Sequence, residues 1–451
     1  MVINKYLGVE KIPNRAQKYF RSFLLIQSVS TFLLVLSSTF SVLYSIDNIG
    51  FALTGITISF SFLIQLLLDY PSGSLGDWIG QRWVMTIAYV FFGIQFFLMT
   101  TAQTFNDFMF IAFFRGLGAA QLSGTMLTWF DNNYQKVVNG SDEDRKIYGF
   151  GRSRVQTMTR IVSSISFIVG GYLATAFARQ FVFGIQAMFT LPLILVTLYL
   201  IRDEKSEFEE FGEESTEIKG SYWSHFSGGL KFLFSNKGAF FFIVGTALLF
   251  SSFTIWGNLI LFPIYFGYSG TDGLASILRT TAFVLGVPIS IYIAKLSQRF
   301  KVDKAPQITY LFVLLFYPGF MVVTSLIPVE NEFSLFGCIL SIILLAGVIP
   351  TIFDLGVILR QRLMLDLVPS KNRNAVYSLI PTIISLFGIF LLPVSSYVIE
   401  QINLTAGIFT AFLVALVGAF FISFGIHLHL AKSERITPSI IQSEEVPIPG
   451  P

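Results

Sequence analysis

Six ionisable side chains fall inside stretches otherwise apolar enough to cross a bilayer: Asp69, Arg115, Asp131, Arg160, Arg279 and Asp354. A charge at the centre of a membrane helix costs about 2.5–3.5 kcal/mol on insertion scales, so such residues face a partner or a wet cavity. Carboxylates can exchange protons, guanidinium groups can grip carboxylate or phosphate with a matched fork of donors, and opposite charges can latch neighbouring helices. Asp69 precedes Asp77 by eight residues, about 12 Å of helical rise. Arg160 sits at a similar depth, so the two can meet, either as a proton-coupling pair or as a structural ion pair. Arg115 follows Asp107 by eight residues and Arg279 follows Asp272 by seven, which sets both about 10–12 Å beneath one face. No acid shares their depth, so the two arginines invite an anionic group between them. The alternatives are structural, with Arg115 bonding helix carbonyls and Arg279 extending to the surface along its aliphatic stem. Gln27, Trp256 and Asn258 are further polar contacts for the same cavity.

The elements that must position these residues are twelve apolar segments, near residues 22–46, 51–72, 84–104, 107–131, 154–178, 181–201, 239–264, 272–295, 306–327, 334–359, 374–399 and 403–429. Each is close to the roughly 20 residues that span hydrocarbon. The composition agrees: 53% of residues are hydrophobic, 13% are charged and the mean hydropathy is +0.69, which excludes a soluble fold. With the N-terminus inside, cations concentrate in the internal segments (Lys5 to Arg21, Arg82, Lys136 to Arg154, Arg202 to Lys237, Lys295 to Lys304, Arg360 to Arg373), and the external loops hold only Arg179. This asymmetry sets both termini in the cytoplasm. The first segment is too long and too late to be a cleaved leader.

Residues 1–201 form one six-span unit, 202–237 a linker, 238–431 a second six-span unit and 432–451 a polar tail expected to be disordered. In the linker Trp223, Phe226, Leu230 and Leu233 have helix-like spacing, so the segment is either a short amphipathic helix on the inner membrane face or a loose loop. Cys338 is the single cysteine, and His225, His427 and His429 are scattered; no metal-site spacing is present. No Gly-x-x-x-x-Gly-Lys-Ser/Thr phosphate loop or His-Glu-x-x-His motif occurs, so neither ATP hydrolysis nor a zinc enzyme is indicated. No cofactor is expected. The net charge of +3 is spread along the inner face and does not point to nucleic acid.

The two halves share a signal. Gly124 to Asp131 (GTMLTWFD) and Gly347 to Asp354 (GVIPTIFD) keep Gly, Thr, Phe and Asp in register at an offset of 223 residues, 354 minus 131. The same offset carries Asp77 into the basic loop Arg299 to Lys304, as an internal duplication requires.

Between the second and third segments lies Gly73-Ser74-Leu75-Gly76-Asp77-Trp78-Ile79-Gly80-Gln81-Arg82, preceded by Asp69-Tyr70-Pro71-Ser72. This run resembles the signature loop of prokaryotic transporters of the major facilitator superfamily. Arg115 to Ala120 is similar to the family's Arg-x-x-x-Gly pattern in helix four, with Ala119 in place of the later glycine. Val368 to Arg373 resembles the turn into helix eleven. Lys295 to Lys301 keeps the charges of a second signature loop and loses its glycines, and Gly170-Gly171 in helix five lacks the preceding Gly-Pro pair of many antiporters.

The resemblance implies twelve transmembrane helices in two pseudo-symmetric six-helix bundles, working by alternating access around a solute held between the halves. It implies that Gly73, Asp77, Gly80 and Arg82 form a cytoplasmic latch with Asp131, and that Asp354 is the counterpart acid of the second half. The expected function is secondary active transport of a small solute across the cell membrane by a monomer in the lipid bilayer, with the proton as coupling ion and an anionic substrate. The alternatives are efflux of neutral or cationic amphipathic compounds, or a non-transporting receptor or scramblase on the same scaffold.

Overall fold

The computed structural model describes residues 2–138, 140–142, 145–201, 231–368 and 370–441, and every regular element among them is helical. In the first half these are α1 (Val2–Leu7), α2 (Asn14–Val35), α3 (Ser41–Ile79), α4 (Gln81–Met99), α5 (Phe105–Leu122), α6 (Thr125–Val138), α7 (Lys146–Ala176) and α8 (Arg179–Leu200). The second half contains α9 (Lys237–Ile255), α10 (Leu261–Ser269), α11 (Asp272–Leu296), α12 (Ala305–Leu326), α13 (Leu335–Ile342), α14 (Asp354–Leu367), α15 (Ser370–Gln401) and α16 (Leu404–Ile441). Ten helical stretches among the described residues are each long and apolar enough to cross a membrane. The first and fourth spans, each interrupted, complete twelve. The chain is thus a multi-pass membrane protein. Most of the linker, with Trp223, Phe226 and Leu230, lies outside the described residues; residues 231–235 are helical and Leu233 is buried.

The interruptions have local causes. The Ser38 hydroxyl competes for the backbone, its Oγ donating to the Val35 carbonyl at 2.6 Å, where the first span leaves the α-helix between α2 and α3. Gly50 (φ 78°, ψ 172°) then divides α3 into the end of the first span and the whole of the second. A Cβ there would lie 2.9 Å from the Glu400 carboxylate, so conformation and space both demand glycine. The fourth span, expected as one helix over 107–131, breaks at Ser123 and Gly124 (φ 71°). In the second half Trp256–Ile260 and Ile343–Phe353 widen into π-helix. Pro350, which lacks an N–H, sits in the second of these. Both copies of the duplicated octapeptide therefore begin in irregular helix.

Within the first half α4 packs on α5 and α8, and α2 on α7; in the second, α16 packs on α9 and α12. The α9–α16 contact is a reciprocal glycine approach. A Cβ on Gly245 would meet the Gly418 carbonyl at 2.7 Å, and one on Gly418 would meet the Gly245 carbonyl at 2.8 Å, the close backbone contact that small residues permit in membranes. Part of the phenylalanine surplus fills the second bundle, where Phe253, Phe312 and Phe316 stack beside Trp256 and Phe320. Others, such as Phe97 and Phe336, face outward.

The halves meet along α3–α15 and α7–α11. We call the face bearing α1 and the end of α16 the terminal face, and the opposite one the distal face. Among the described residues, the hydrogen bonds that join the halves lie on the distal side of Arg160: Ala52 N to Glu400, Ser396 Oγ to the Ala52 carbonyl, Ser59 Oγ to the Ile389 carbonyl, Gly273 N to Thr175 Oγ1, Thr280 Oγ1 to the Ser164 carbonyl, Arg279 to Ser38 and Thr39, and Arg179 to Asp272. The halves are thus hydrogen-bonded to each other, among the described residues, on the distal side.

Candidate functional site

Two cavities meet at Arg160. One, of about 650 Å³, is bounded by Gln27, Ser30 and Thr31 on α2, by Gly124 and Met126 at the break in the fourth span, and by Arg152, Gln156, Thr159 and Arg160 on α7. The other, of about 420 Å³, is bounded in the second half by Trp256, Arg279, Ser290, Pro350 and Asp354, and also by Arg160. Arg160 is thus the wall the two cavities share. Its guanidinium makes no hydrogen bond or ion pair among the described residues. The Asp354 carboxylate, close enough for the Arg160 charge to act on it, accepts from Ser290 Oγ at 2.7 Å. An opposite-charge couple therefore faces across the boundary between the halves.

The pairing of Arg160 with Asp69 expected from depth is not formed. Asp69 bonds to Ser123 at the break in the fourth span, and α3 packs on α4, α5 and α15, while α7 packs on α2, α8 and α11. Equal depth fixes height along a helix, not the direction in which a side chain points. The anion clamp of Arg115 and Arg279 is likewise not assembled. Arg279 Nη1 donates to Ser38 Oγ (2.8 Å) and Thr39 Oγ1 (3.1 Å), and its guanidinium lies 3.6 Å from the Phe167 ring centroid and 4.9 Å from that of Phe262. It is a clasp from the second half onto the break between α2 and α3. Arg115 lines a separate cavity, inside the first half.

Gln27 lines the first cavity and Trp256 the second. The Trp256 indole nitrogen is buried without a partner. Asn258 instead donates to the Thr254 carbonyl at 2.8 Å, one turn back in its own helix.

At the terminal face, Gly80 (φ 87°) makes the turn from α3 to α4. The side chain of Asp77 lies outside the described residues, as does the surrounding of Gly73. Arg82 Nε is buried without a partner, and Asp131 accepts from the Tyr148 hydroxyl rather than from Arg82. The same hydroxyl accepts from Arg152 Nη1 at 3.2 Å.

Several functional groups escape a reading of single residues. Arg152, Gln156 and Arg160 form an i, i+4, i+8 polar stripe on one face of α7, a spacing that helical periodicity makes readable. Arg179, notable in the sequence only as the lone external cation, forks onto Asp272 (Nε–Oδ2 2.8 Å, Nη2–Oδ1 3.0 Å) and also reaches Asp47. Arg360 is buried at 3% exposure, with Nη1 donating to Thr309 Oγ1 and Nε and Nη2 unpartnered.

Asp142, in the loop before α7, accepts from the Ile147 and Tyr148 amides and the Tyr134 hydroxyl. Burial pushes its carboxyl up, but these bonds outweigh it and hold the group below the usual carboxylate range. A depressed folded-state pKa gives stability that is complete above the unfolded value, about 3.9, and lost as pH falls through the folded one. Asp142→Asn is therefore expected to lower the thermal midpoint at pH 7, with the two proteins converging below about pH 4. Melting curves at neutral and acid pH check this, and a difference that persists undiminished in acid would refute it.

No curated protein matches the sequence. Among solved structures the chain is similar to the nucleoside transporter NupG (TM-score 0.67, 16% identity, 92% of this chain and 99% of that one). It is also similar to a D-xylose-proton symporter (0.62, 11%, 90% and 97%). A third likeness is to a bacterial homologue of the human lysosomal transporter Spinster in an inward-facing, unoccupied conformation (0.59, 14%, 96% and 99%). At these identities the likeness is one of fold. The family model for the Major Facilitator Superfamily matches residues 19–357, three quarters of the sequence, and with twelve spans in two bundles the chain belongs to that superfamily of transporters.

Proposed function

We propose that this protein is a secondary active transporter that carries a small anionic solute by alternating access, with the solute's negative group on Arg160. The observation that carries the reading is the position of Arg160, unpartnered and shared by the cavities of the two halves. A group at that point touches both bundles, so its ligand can bias their relative orientation. Arg152 on the same stripe adds a second guanidinium. The distribution of cations supports a cytoplasmic terminal face in a cell membrane, so that the hydrogen bonds between the halves on the distal side would close the outer face.

Asp354 takes the coupling role assigned from sequence to Asp69. An anion on the Arg160 guanidinium would weaken its pull on the Asp354 carboxylate, so that protonation becomes easier. One proton would then travel with the solute.

A panel of anionic, neutral and cationic solutes, screened by thermal shift on the purified protein and then by flux in proteoliposomes, tests the reading. An anion is expected to bind and to saturate flux. Arg160→Gln should weaken its binding at least tenfold, since a hydrogen bond to a charged group contributes about 1.5–3 kcal/mol, and Asp354→Asn should flatten the pH dependence of flux. Binding of neutral or cationic solutes alone, or undiminished affinity in Arg160→Gln, sinks the assignment.

A further inference from the structure

We propose that the first half holds a second site, separate from the transport cavity, which binds a small inorganic anion of the halide type at Arg115. The site is a cavity of about 230 Å³ whose lining residues all lie between Leu34 and Phe183. It therefore belongs wholly to the first bundle, whereas a transported solute must contact both. No carboxylate lines it. Arg115 has no hydrogen bond or ion pair among the described residues, and three acids of the first half are engaged elsewhere. Asp107 caps α5 through Thr104, Asp69 bonds Ser123, and Asp47 holds Arg179.

A guanidinium does not give up its proton in a protein. Left without a counter-ion in a low-dielectric bundle it carries a desolvation penalty of several kcal/mol. The cavity wall supplies more donors. Ser38, Ser45 and Thr57 spend their hydroxyl protons on the carbonyls of Val35, Ser41 and Thr54, but Ser37, Ser41 and Ser61, which also line the space, donate theirs to no partner among the described residues. One fixed cation, three uncommitted hydroxyls and no acid form a donor shell for an anion. The volume admits a monatomic ion with a few waters, each of which takes about 30 Å³ in the liquid.

Ser38 stands in the wall of this cavity and also receives Arg279 from the second half. An anion at Arg115 would therefore brace, from behind, the broken segment that the distal clasp grips.

The full chain in detergent, held at constant ionic strength with gluconate as the replaced anion, is titrated with bromide or chloride while thermal unfolding is followed. A saturable rise in the midpoint is expected, together with bromide anomalous scattering at Arg115 in crystals. Arg115→Gln should abolish the rise, and Arg160→Gln should leave it intact. Should Arg115→Gln fail to fold, Ser37→Ala with Ser61→Ala supplies the reading, with the half-saturating bromide concentration expected to increase several-fold. No saturable halide effect, an effect unchanged in these variants, or one that vanishes in Arg160→Gln overturns the second site. The last of these outcomes would place the ion in the transport cavity, and the screen of solutes on Arg160 stands or falls independently.

Discussion

Arg179→Ala and Asp272→Ala are each expected to open the distal face. In the parent, a cysteine introduced at Ser276 should be inaccessible to a bulky polar thiol reagent applied from that side, because Ser276 is fully buried and its hydroxyl side chain fills the space where Gly171 lacks one. The Arg179–Asp272 fork bridges the halves with side chains only 13% and 9% exposed. Removing one partner strands the other with little water, a loss of about 3–5 kcal/mol for a buried pair. Even at the low end the distal-open population should grow on the order of 100-fold, since about 1.4 kcal/mol is a factor of ten. Asp47, at 61% exposure, is a weaker partner, and Asp47→Asn should label nearly as the parent does. The double variant should be less than additive. With Cys338→Ser as background, labelling of folded Arg179→Ala and Asp272→Ala no faster than the parent would remove Arg179 from the gate.

The spans could be read from the sequence because hydrocarbon thickness imposes a length, and the duplicated Gly-to-Asp octapeptides could be read because both copies kept their register. What the sequence withheld was direction. Asp69 and Arg160 share a depth, yet one turns to Ser123 and the other into the cavity toward Asp354. Arg115 and Arg279 also share a depth, but the broken segment between α2 and α3 stands between them, with Ser38 lining one side and bonded on the other. The Arg179 fork depends on residues 93 and 132 positions away, so no local pattern announces it. The polar stripe of Arg152, Gln156 and Arg160 was within reach of helical periodicity, and it marks the cavity wall better than any single charge did.

The latch at the terminal face leads to the second large effect. In the structure Asp131 is held by Tyr148, Tyr148 by Arg152, and Arg82 Nε has no partner among the described residues. We infer that closing this face exchanges Tyr148 for Arg82 on the Asp131 carboxylate, so that Tyr148 competes with the latch. A neutral donor is thereby traded for a charged one, and hydrogen bonds to charged groups contribute about 1.5–3 kcal/mol. Tyr148→Phe should favour the closed face, while Arg82→Ala and Asp131→Ala should favour the open one, each by on the order of ten-fold or more in population. Gln156, exposed and lining the first cavity, is the reporter site: as a cysteine in the Cys338→Ser background it should label more slowly from the terminal face in Tyr148→Phe and faster in the other two. Because Arg152 lines the same cavity, an anion that draws it away from Tyr148 would loosen the hydroxyl's hold on Asp131. Substrate should then slow labelling in the parent but have less effect in Tyr148→Phe. Equal rates in all three folded variants would dissolve the link between cavity and latch.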